Sequence, residues 1–227
     1  MRIDKFVSEI GYSRKDADFF IKNKQITING KLVLKKDQKI DEYKDVISIN
    51  GNVCKYSKYV YIMLNKPAGV VSATEDKEQE TVLSLLPQTL QKRNLFPVGR
   101  LDKETMGLLI LTNDGDYCHR MISPNRNIEK VYRFELADEI SDESVKKIEE
   151  GIELKDGYVT LPCKIEMKSK KCGEITITEG KYHQIRRMFG AASNKVTYLE
   201  RIREGKIVLD TSLKRGEWRE LTKQEIE

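Results

Sequence analysis

The sequence lacks the features of secreted, fibrous and membrane-spanning proteins. Four cysteines, five prolines and 14 glycines in 227 residues are too few and too irregular for a disulfide scaffold, a collagen or a Pro-rich linker protein. No segment approaches the ~20 apolar residues of a membrane-spanning helix, and Asp4 stands where a signal peptide would begin its apolar run. We therefore expect a cytoplasmic protein with no membrane partner, held together by an ordinary apolar core.

Metal ligands are also scarce. The four cysteines form no C-x-x-C pair, and only two histidines could complete a site with them. Structural zinc sites, by contrast, pair their Cys and His ligands at short spacings along the chain. We expect reduced thiols and no metal site.

Positive charge is present but confined to one end of the chain. Residues 1–58 hold 13 Lys and Arg against 8 Asp and Glu, whereas residues 59–227 hold 28 of each kind. The net charge of +5 therefore belongs to the first quarter of the protein. Such asymmetry is typical of a small basic module that binds a polyanion and is attached to a neutral body. A solvated lysine-rich surface is the alternative.

The first 50 residues predict two short helices followed by hairpins. Apolar residues recur at helical spacing over 3–10, and Gly11 follows them as at a typical helix end. Ser13 is a candidate N-cap for the second helix, and Asp16 can complete a capping box with it. Alternating segments that lead into Asn-Gly turn signals predict strands at 25–28 and 46–49.

A polar, aperiodic segment at 52–58 predicts a linker, so we divide the chain into a module over 1–58 and a body over 59–227. Strand and helix patterns are mixed along the body, which favours an α+β fold with a mixed, largely antiparallel sheet flanked by helices. Its strands are predicted at 59–64, 108–111, 131–136, 165–167, 174–177 and 206–209. Its helices are predicted at 141–150, with Ser141 as N-cap, and at 182–193.

One segment of the body, Gly99–Gly115, concentrates residues that could perform chemistry. Asp102 lies in a loop between two glycines, two residues after Arg100 and one before Lys103, directly ahead of an apolar strand. A carboxylate beside cations stays ionised, as a nucleophile must. Asp and Gly also favour ordinary turns, so a structural turn is the alternative from spacing alone.

A second segment, Glu179–Met188, combines an apolar stripe with cations. Ile185 and Met188 give the predicted helix its buried side, which directs Arg186 and Arg187 toward solvent, a phosphate or a carboxylate. Several donors at a helix start favour an anion there. A charged, solvated helix face is the alternative from the residues alone.

Together these segments resemble the RsuA-like family of bacterial ribosomal RNA pseudouridine synthases. The string G-R-L-D-x-x-T-x-G-L-L-I-L-T-N-D-G resembles the central family motif, with K-P-x-G before it and E-G-K-x-x-Q-I-R-R-M after it. The first 50 residues, with R-x-D-K-F-V-S-E-x-G-x-S-R-K-x-A and a later I-x-I-N-G-K, resemble the S4 RNA-binding module that precedes the catalytic domain in this family. The resemblance covers nearly the whole chain.

The resemblance implies isomerisation of an RNA uridine to pseudouridine, in which the N-glycosidic bond is cut and the uracil is rejoined through carbon. It implies no metal, nucleotide or redox cofactor. By motif position Asp102 is the catalytic aspartate, which adds to uracil C6 or attacks ribose C1′; both routes stay open. Tyr132 matches the strand tyrosine that stacks on the uracil and is a candidate for proton transfer. Arg186 matches the basic residue that pairs with Asp102, and Ile207 matches the apolar residue that closes the pocket.

An RNA base must leave its stack to meet a carboxylate, and cations must hold the surrounding RNA. In the body we expect substrate contacts from Lys66, Arg100, Lys181 and Arg187. In the S4-like module we expect contacts to phosphates and RNA shape from Arg2, Lys5, Arg14, Lys15, Lys22, Lys24 and Lys31.

The expected partner is ribosomal RNA, free or in an assembling ribonucleoprotein particle, and the protein is expected to be a monomer. Lys181–Gln184 resembles the branch that modifies 16S rRNA, with 23S rRNA as the alternative substrate. A non-catalytic S4-type ribosome-assembly factor is another hypothesis, although a pure binder has no need for Asp102, Tyr132 and Arg186 together. A glycoside hydrolase with Asp102 and Glu104 as its carboxyl pair is a third, but the neighbouring cations suit a polyanion better than a neutral sugar.

Overall fold

A computed structural model describes all 227 residues, and the chain divides into two compact units. The first unit comprises Met1–Val60 and Leu86–Leu95, and the second comprises Tyr61–Leu85 and Phe96–Glu227. This division differs from the one expected from the sequence, because Leu86–Leu95 belongs to the first unit and was expected in the body.

Helix α3 (Gln88–Gln91) lies in this inserted segment of the first unit. Gly11 has a φ of +98°, and a Cβ built on it would lie 1.8 Å from the carbonyl oxygen of Thr89, so only glycine permits the close approach. Arg93 adds a hydrogen bond to the carbonyl of Ser57. The local sequence pattern does not reveal these contacts, because they join distant parts of the chain.

The rest of the first unit follows its sequence pattern. Helices α1 (Ile3–Glu9) and α2 (Arg14–Lys22) confirm the two predicted helices, and α2 begins with the predicted capping box between Ser13 and Asp16. One antiparallel sheet, in the order β2-β1-β3-β4, contains Ile26–Ile28 (β1), Lys31–Leu32 (β2), Ile47–Ile49 (β3) and Asn52–Cys54 (β4). The predicted linker is wrong at its start, because β4 pairs with β3 there.

The second unit is built on a nine-stranded sheet in the order β13-β5-β7-β11-β8-β10-β9, with β6 paired to β7 and β12 to β11. Every pairing is antiparallel except that of β11 with β7, so the predicted α+β fold with a largely antiparallel sheet is confirmed. The strands are Tyr61–Lys66 (β5), Phe96–Pro97 (β6), Met106–Thr112 (β7), Lys130–Leu136 (β8), Lys164–Met167 (β9), Cys172–Ile177 (β10), Val196–Glu204 (β11), Ile207–Val208 (β12) and Trp218–Glu220 (β13).

Four helices accompany this sheet: Gly115–Ile122 (α4), Asp142–Glu150 (α5), Gln184–Ala191 (α6) and Lys223–Ile226 (α7). Helix α5 confirms the prediction, including Ser141 as its N-cap. Helix α6 is shorter than the predicted 182–193, because the backbone at His183 is left-handed (φ +47°) and the helix begins after it. None of the helices is both long enough and apolar enough to cross a membrane.

Strand β11 positions the candidate site. It lies between β7 and β8, so Arg201 is aligned with Gly107 on one side and with Tyr132 on the other. Gly107 has a φ of +96°, and a Cβ on it would lie 2.3 Å from the carbonyl oxygen of Arg201. Only glycine therefore lets β7 approach β11 this closely. The pairing fixes the start of β7, and with it the loop that carries Asp102.

Candidate active site

A buried lysine holds the main chain of the Asp102 loop. Lys66 is fully buried, and its Nζ donates to the carbonyl oxygens of Pro67, Asp102, Lys103 and Thr105 at 3.0, 3.2, 3.0 and 2.9 Å. Burial lowers the pKa of Lys66 to about 8, against the opposing effect of two nearby carboxylates. The prediction that Lys66 contacts substrate is wrong, because its ammonium group is enclosed and its donors are occupied.

The Asp102 side chain is accessible from the surface of this loop. It is 29% exposed, and the chain turns tightly at this point because the amide of Thr105 donates to the Asp102 carbonyl at 3.0 Å. Nε2 of His183 lies 3.6 Å from Oδ1 of Asp102. His183 was not among the predicted site residues, since it is distant from Asp102 in the chain and meets it only where α6 begins.

Arg186 does not pair with Asp102, contrary to the expectation from the resemblance. Its Nη1 donates to the carbonyl of Val196 at 3.0 Å, and its Nη2 reaches the carbonyl of Glu104 at 3.5 Å. The guanidinium group is thus engaged by main-chain oxygens at the start of β11 and beside the Asp102 loop. Arg186 lies near the loop but forms no ion pair with the carboxylate.

Tyr132, on β8, shares a small pocket with Asp102. Its residue surface is only 8% exposed, and the pocket has a volume of about 60 Å³. Burial raises the pKa of Tyr132, so its hydroxyl group is protonated at neutral pH. Apolar side chains complete much of the lining, namely Leu101, Ile177, Ile185 and Leu199. The structure therefore brings an aromatic ring and an accessible carboxylate to one pocket.

A buried ion pair adjoins Tyr132. Arg201 and Glu204 are 1% and 0% exposed, and their Nη2 and Oε2 atoms lie 3.1 Å apart, while Arg201 Nε donates to the carbonyl of Leu108 at 2.8 Å. Burial raises the pKa of Glu204, opposed by Arg201 and Lys130. A cavity of about 350 Å³ is lined by this ion pair together with Lys130 and Tyr132. This pair was not predicted from the sequence, because no strand was expected over the residues of β11.

The cleft outside Asp102 is basic. It has a volume of about 710 Å³, and three cations, Arg100, Lys103 and Lys181, line it together with Asp102. Arg100 and Lys181 also line the two smaller cavities, so these two of the predicted substrate residues lie at the site. Arg187 lines none of the three, because its guanidinium group pairs with Asp156 at 2.5 Å.

The expectation that Ile207 closes the pocket is also corrected. Ile207 is 1% exposed and lies in a core cluster that includes Met63, Leu108 and Tyr117. It lines none of the three cavities around Asp102. Its position on β12, which pairs with the end of β11, turns the side chain into the core.

The basic residues predicted for RNA binding in the first unit all lie on its surface: Arg2, Lys5, Arg14, Lys15, Lys22, Lys24 and Lys31. Three of them, Arg2, Lys5 and Arg14, line one hollow, where Arg2 also pairs with Asp4 at 2.6 Å. The four cysteines are free thiols, and no group of three or more His, Cys, Asp or Glu side chains is arranged to hold a metal ion.

Comparison with known proteins identifies the family. Residues 60–191 match the family model described as RNA pseudouridylate synthase. An uncharacterized RNA pseudouridine synthase of Bacillus subtilis, YtzG, is 41% identical, and the alignment covers 100% of this chain and 97% of that protein. Ribosomal small subunit pseudouridine synthase A of Escherichia coli is 36% identical over 100% of this chain and 98% of its own length.

A solved structure agrees with the sequence relatives. A crystal structure of a pseudouridylate synthase superimposes with a TM-score of 0.71 and 38% identity, covering 100% of this chain and 98% of that one. The alignments span both units, whereas the family model covers most of the second unit and part of the first. The chain therefore belongs to the RNA pseudouridine synthase family, and its relatives over the full length include enzymes of the RsuA type.

Proposed function

We propose that this enzyme isomerises one uridine of 16S rRNA to pseudouridine. The observation that carries the proposal is the meeting of Asp102 and Tyr132 at one pocket, beside a cleft lined by three cations, in a chain of this family. The choice of 16S rRNA is supported by full-length relatives from Escherichia coli and Vibrio cholerae that are named for the small ribosomal subunit.

Asp102 is the nucleophile in this proposal. Its carboxylate bonds to uracil C6 or to ribose C1′, the N1–C1′ bond breaks, the uracil turns, and C5 bonds to C1′. Atoms and electrons balance without an oxidant or reductant: C5 loses its proton, N1 gains one, and the carboxylate is released unchanged. Lys66 holds the loop of the nucleophile by donating to the carbonyl oxygens of Asp102 itself and of Lys103 and Thr105 after it.

Tyr132 stacks on the extruded uracil. Leaving the RNA stack costs a few kcal/mol, which a pocket can recover by stacking and by hydrogen bonds to the base. Tyr132 lines both the pocket beside Asp102 and the adjoining cavity of about 350 Å³, which offers room for an extruded nucleotide. Burial raises the pKa of Tyr132, so its hydroxyl group is a proton donor rather than a proton acceptor in the ground state.

Two basic surfaces hold the RNA. Arg100, Lys103 and Lys181 face the phosphates around the target uridine. The first unit acts as the S4-like module, and its exposed lysines and arginines bind further phosphates of the same RNA. Because phosphate binding releases counterions, the affinity for RNA falls steeply as the salt concentration rises.

Tritium release tests the reaction and the nucleophile together. Unmodified 16S and 23S rRNA transcripts that contain [5-³H]uridine lose tritium to water only when C5 forms its bond to ribose. We expect release from 16S rRNA by the wild type and a loss of at least about a thousandfold for Asp102→Asn. RNA binding by this variant should stay within about twofold, since the substitution removes no positive charge.

The same assay can contradict either part of the proposal. Wild-type release by Asp102→Asn would refute Asp102 as the nucleophile, and release from 23S rRNA alone would overturn the choice of substrate. The modified position is then found by carbodiimide labelling and primer extension of rRNA from cells with and without the gene.

A further inference from the structure

Tyr182 is the most exposed aromatic residue of the protein. Its residue surface is 75% exposed, and it is the only exposed large aromatic residue in the second unit. Single exposed apolar residues are common on protein surfaces and need no function. The position of Tyr182 is what distinguishes it, because the residue lines the cleft of about 710 Å³ that also contains Asp102.

The ring of Tyr182 is stacked on its neighbour. The centroids of the Tyr182 and His183 rings lie 3.9 Å apart, with an angle of 15° between the ring planes. His183 in turn lies 3.6 Å from the Asp102 carboxylate. The two rings therefore form a face-to-face stack, in which His183 lies beside the candidate nucleophile and Tyr182 is strongly exposed in the cleft.

The main chain of this aromatic pair is held in place. Arg187, anchored by Asp156 at 2.5 Å, donates to the carbonyl of Tyr182 at 3.3 Å. The amide of Lys181 donates to Gln184 Oε1 at 2.9 Å, which ties the segment to the start of α6. His183 has the left-handed conformation, which few residues other than glycine adopt without cost. A surface held this way loses little conformational freedom when a ligand binds.

The chemistry of the cleft is that of a single-stranded RNA site. Three cations line it, Arg100, Lys103 and Lys181, and the hydroxyl residues Ser72 and Thr74 line it as well. Proteins bind unpaired nucleotides by combining cations for the phosphates with aromatic rings for the bases. In the proposed function the extruded uridine stacks on Tyr132, so the rings of Tyr182 and His183 are available to another base.

We propose that the stacked Tyr182–His183 pair is a platform for an unpaired nucleobase adjacent to the isomerised uridine. The inference rests on the proposed function, because it requires an RNA substrate at this cleft. Extruding one uridine breaks its stacking with both neighbours, and the platform restores that contact for one of them. The site would take any base, since every base presents a flat face.

Substitutions at Tyr182 test the platform. Tyr182→Phe keeps the ring, Tyr182→Leu keeps an apolar side chain without a ring, and Val208→Ala removes exposed apolar surface on the same unit away from the cleft. With the tritiated 16S rRNA transcript, we expect Tyr182→Leu to raise KM by about 5- to 100-fold with kcat within about twofold. Tyr182→Phe and Val208→Ala should stay within about twofold of the wild type in both constants.

Two results would overturn the platform. One is a KM for Tyr182→Leu equal to that of the wild type; the other is an equal loss in Tyr182→Phe, which would assign the effect to the hydroxyl group. Filter binding of the same transcript repeats the comparison without turnover. If the wild type releases no tritium, the proposed function fails, while the binding constants of Tyr182→Leu and Tyr182→Phe still decide whether a ring at this position holds RNA.

Discussion

Replacing Lys66 with methionine should detach the Asp102 loop from its support. Methionine is similar in length and apolar, so it fills the buried space but donates no hydrogen bond. Four carbonyl oxygens, those of Pro67, Asp102, Lys103 and Thr105, then lose their donor. A hydrogen bond to a charged group contributes about 1.5–3 kcal/mol to stability. Part of the loss is offset, because water can replace the missing donor and because the variant no longer buries an ammonium group.

We therefore expect Lys66→Met to lower the free energy of unfolding by about 3–5 kcal/mol and to reduce tritium release strongly. Urea denaturation followed by circular dichroism measures the first, and the 16S rRNA assay measures the second. Lys206→Met is the matched control, because Lys206 is exposed and forms no hydrogen bond or ion pair with its side chain. If Lys66→Met has the stability and turnover of that control, the reasoning about the loop is refuted.

The pH dependence of the free energy of unfolding gives a second test of the buried Lys66 ammonium group. Burial holds the pKa of Lys66 at about 8 in the folded protein, whereas an unfolded chain titrates lysine near its usual value of about 10.4. Between these values the unfolded state binds more protons, so this group makes the protein more stable as the pH rises. Below about pH 8 both states are protonated and its contribution is constant. The stability difference between wild type and Lys66→Met should therefore widen from pH 8 to pH 10; a difference that narrows would contradict the assigned pKa.

Three further predictions concern the sheet and the thiols. Arg201→Met leaves the Glu204 carboxylate buried without its partner and should lower the free energy of unfolding in urea by about 3–5 kcal/mol. The double substitution Arg201→Met with Glu204→Leu should recover most of this loss, and an equal loss in the single and double variants would show that the pair is not coupled. Gly107→Ala places a Cβ 2.3 Å from the carbonyl oxygen of Arg201 on β11, at a positive φ. We therefore expect the free energy of unfolding to fall by more than about 2 kcal/mol and the melting temperature to fall with it. An unchanged melting temperature would contradict this expectation. Burial raises the pKa of the Cys163 thiol to about 12, so iodoacetamide at pH 8 should label it in urea but not in the native protein, as peptide mass spectrometry can check.

Local sequence was sufficient for the elements whose cause is local. The Ser13–Asp16 capping box, the Ser141 cap and the alternating strand of Tyr132 depend on residues within one helix or strand, and each is found where it was predicted. The motif around Asp102 was likewise readable, because a carboxylate between glycines and cations stands out in a sequence.

The environment of that motif depends on residues that meet only in the folded chain. Lys66 is a cation in the sequence and was assigned to RNA, but burial beneath the Asp102 loop makes it a main-chain support. Arg186 bonds to carbonyl oxygens, and His183 occupies the place beside the carboxylate. The parallel pairing of β11 with β7 joins segments about a hundred residues apart, and no local periodicity encodes such a pairing. Residue types therefore indicated the chemistry, whereas long-range packing determined which charged side chains line the cleft and which hold the fold.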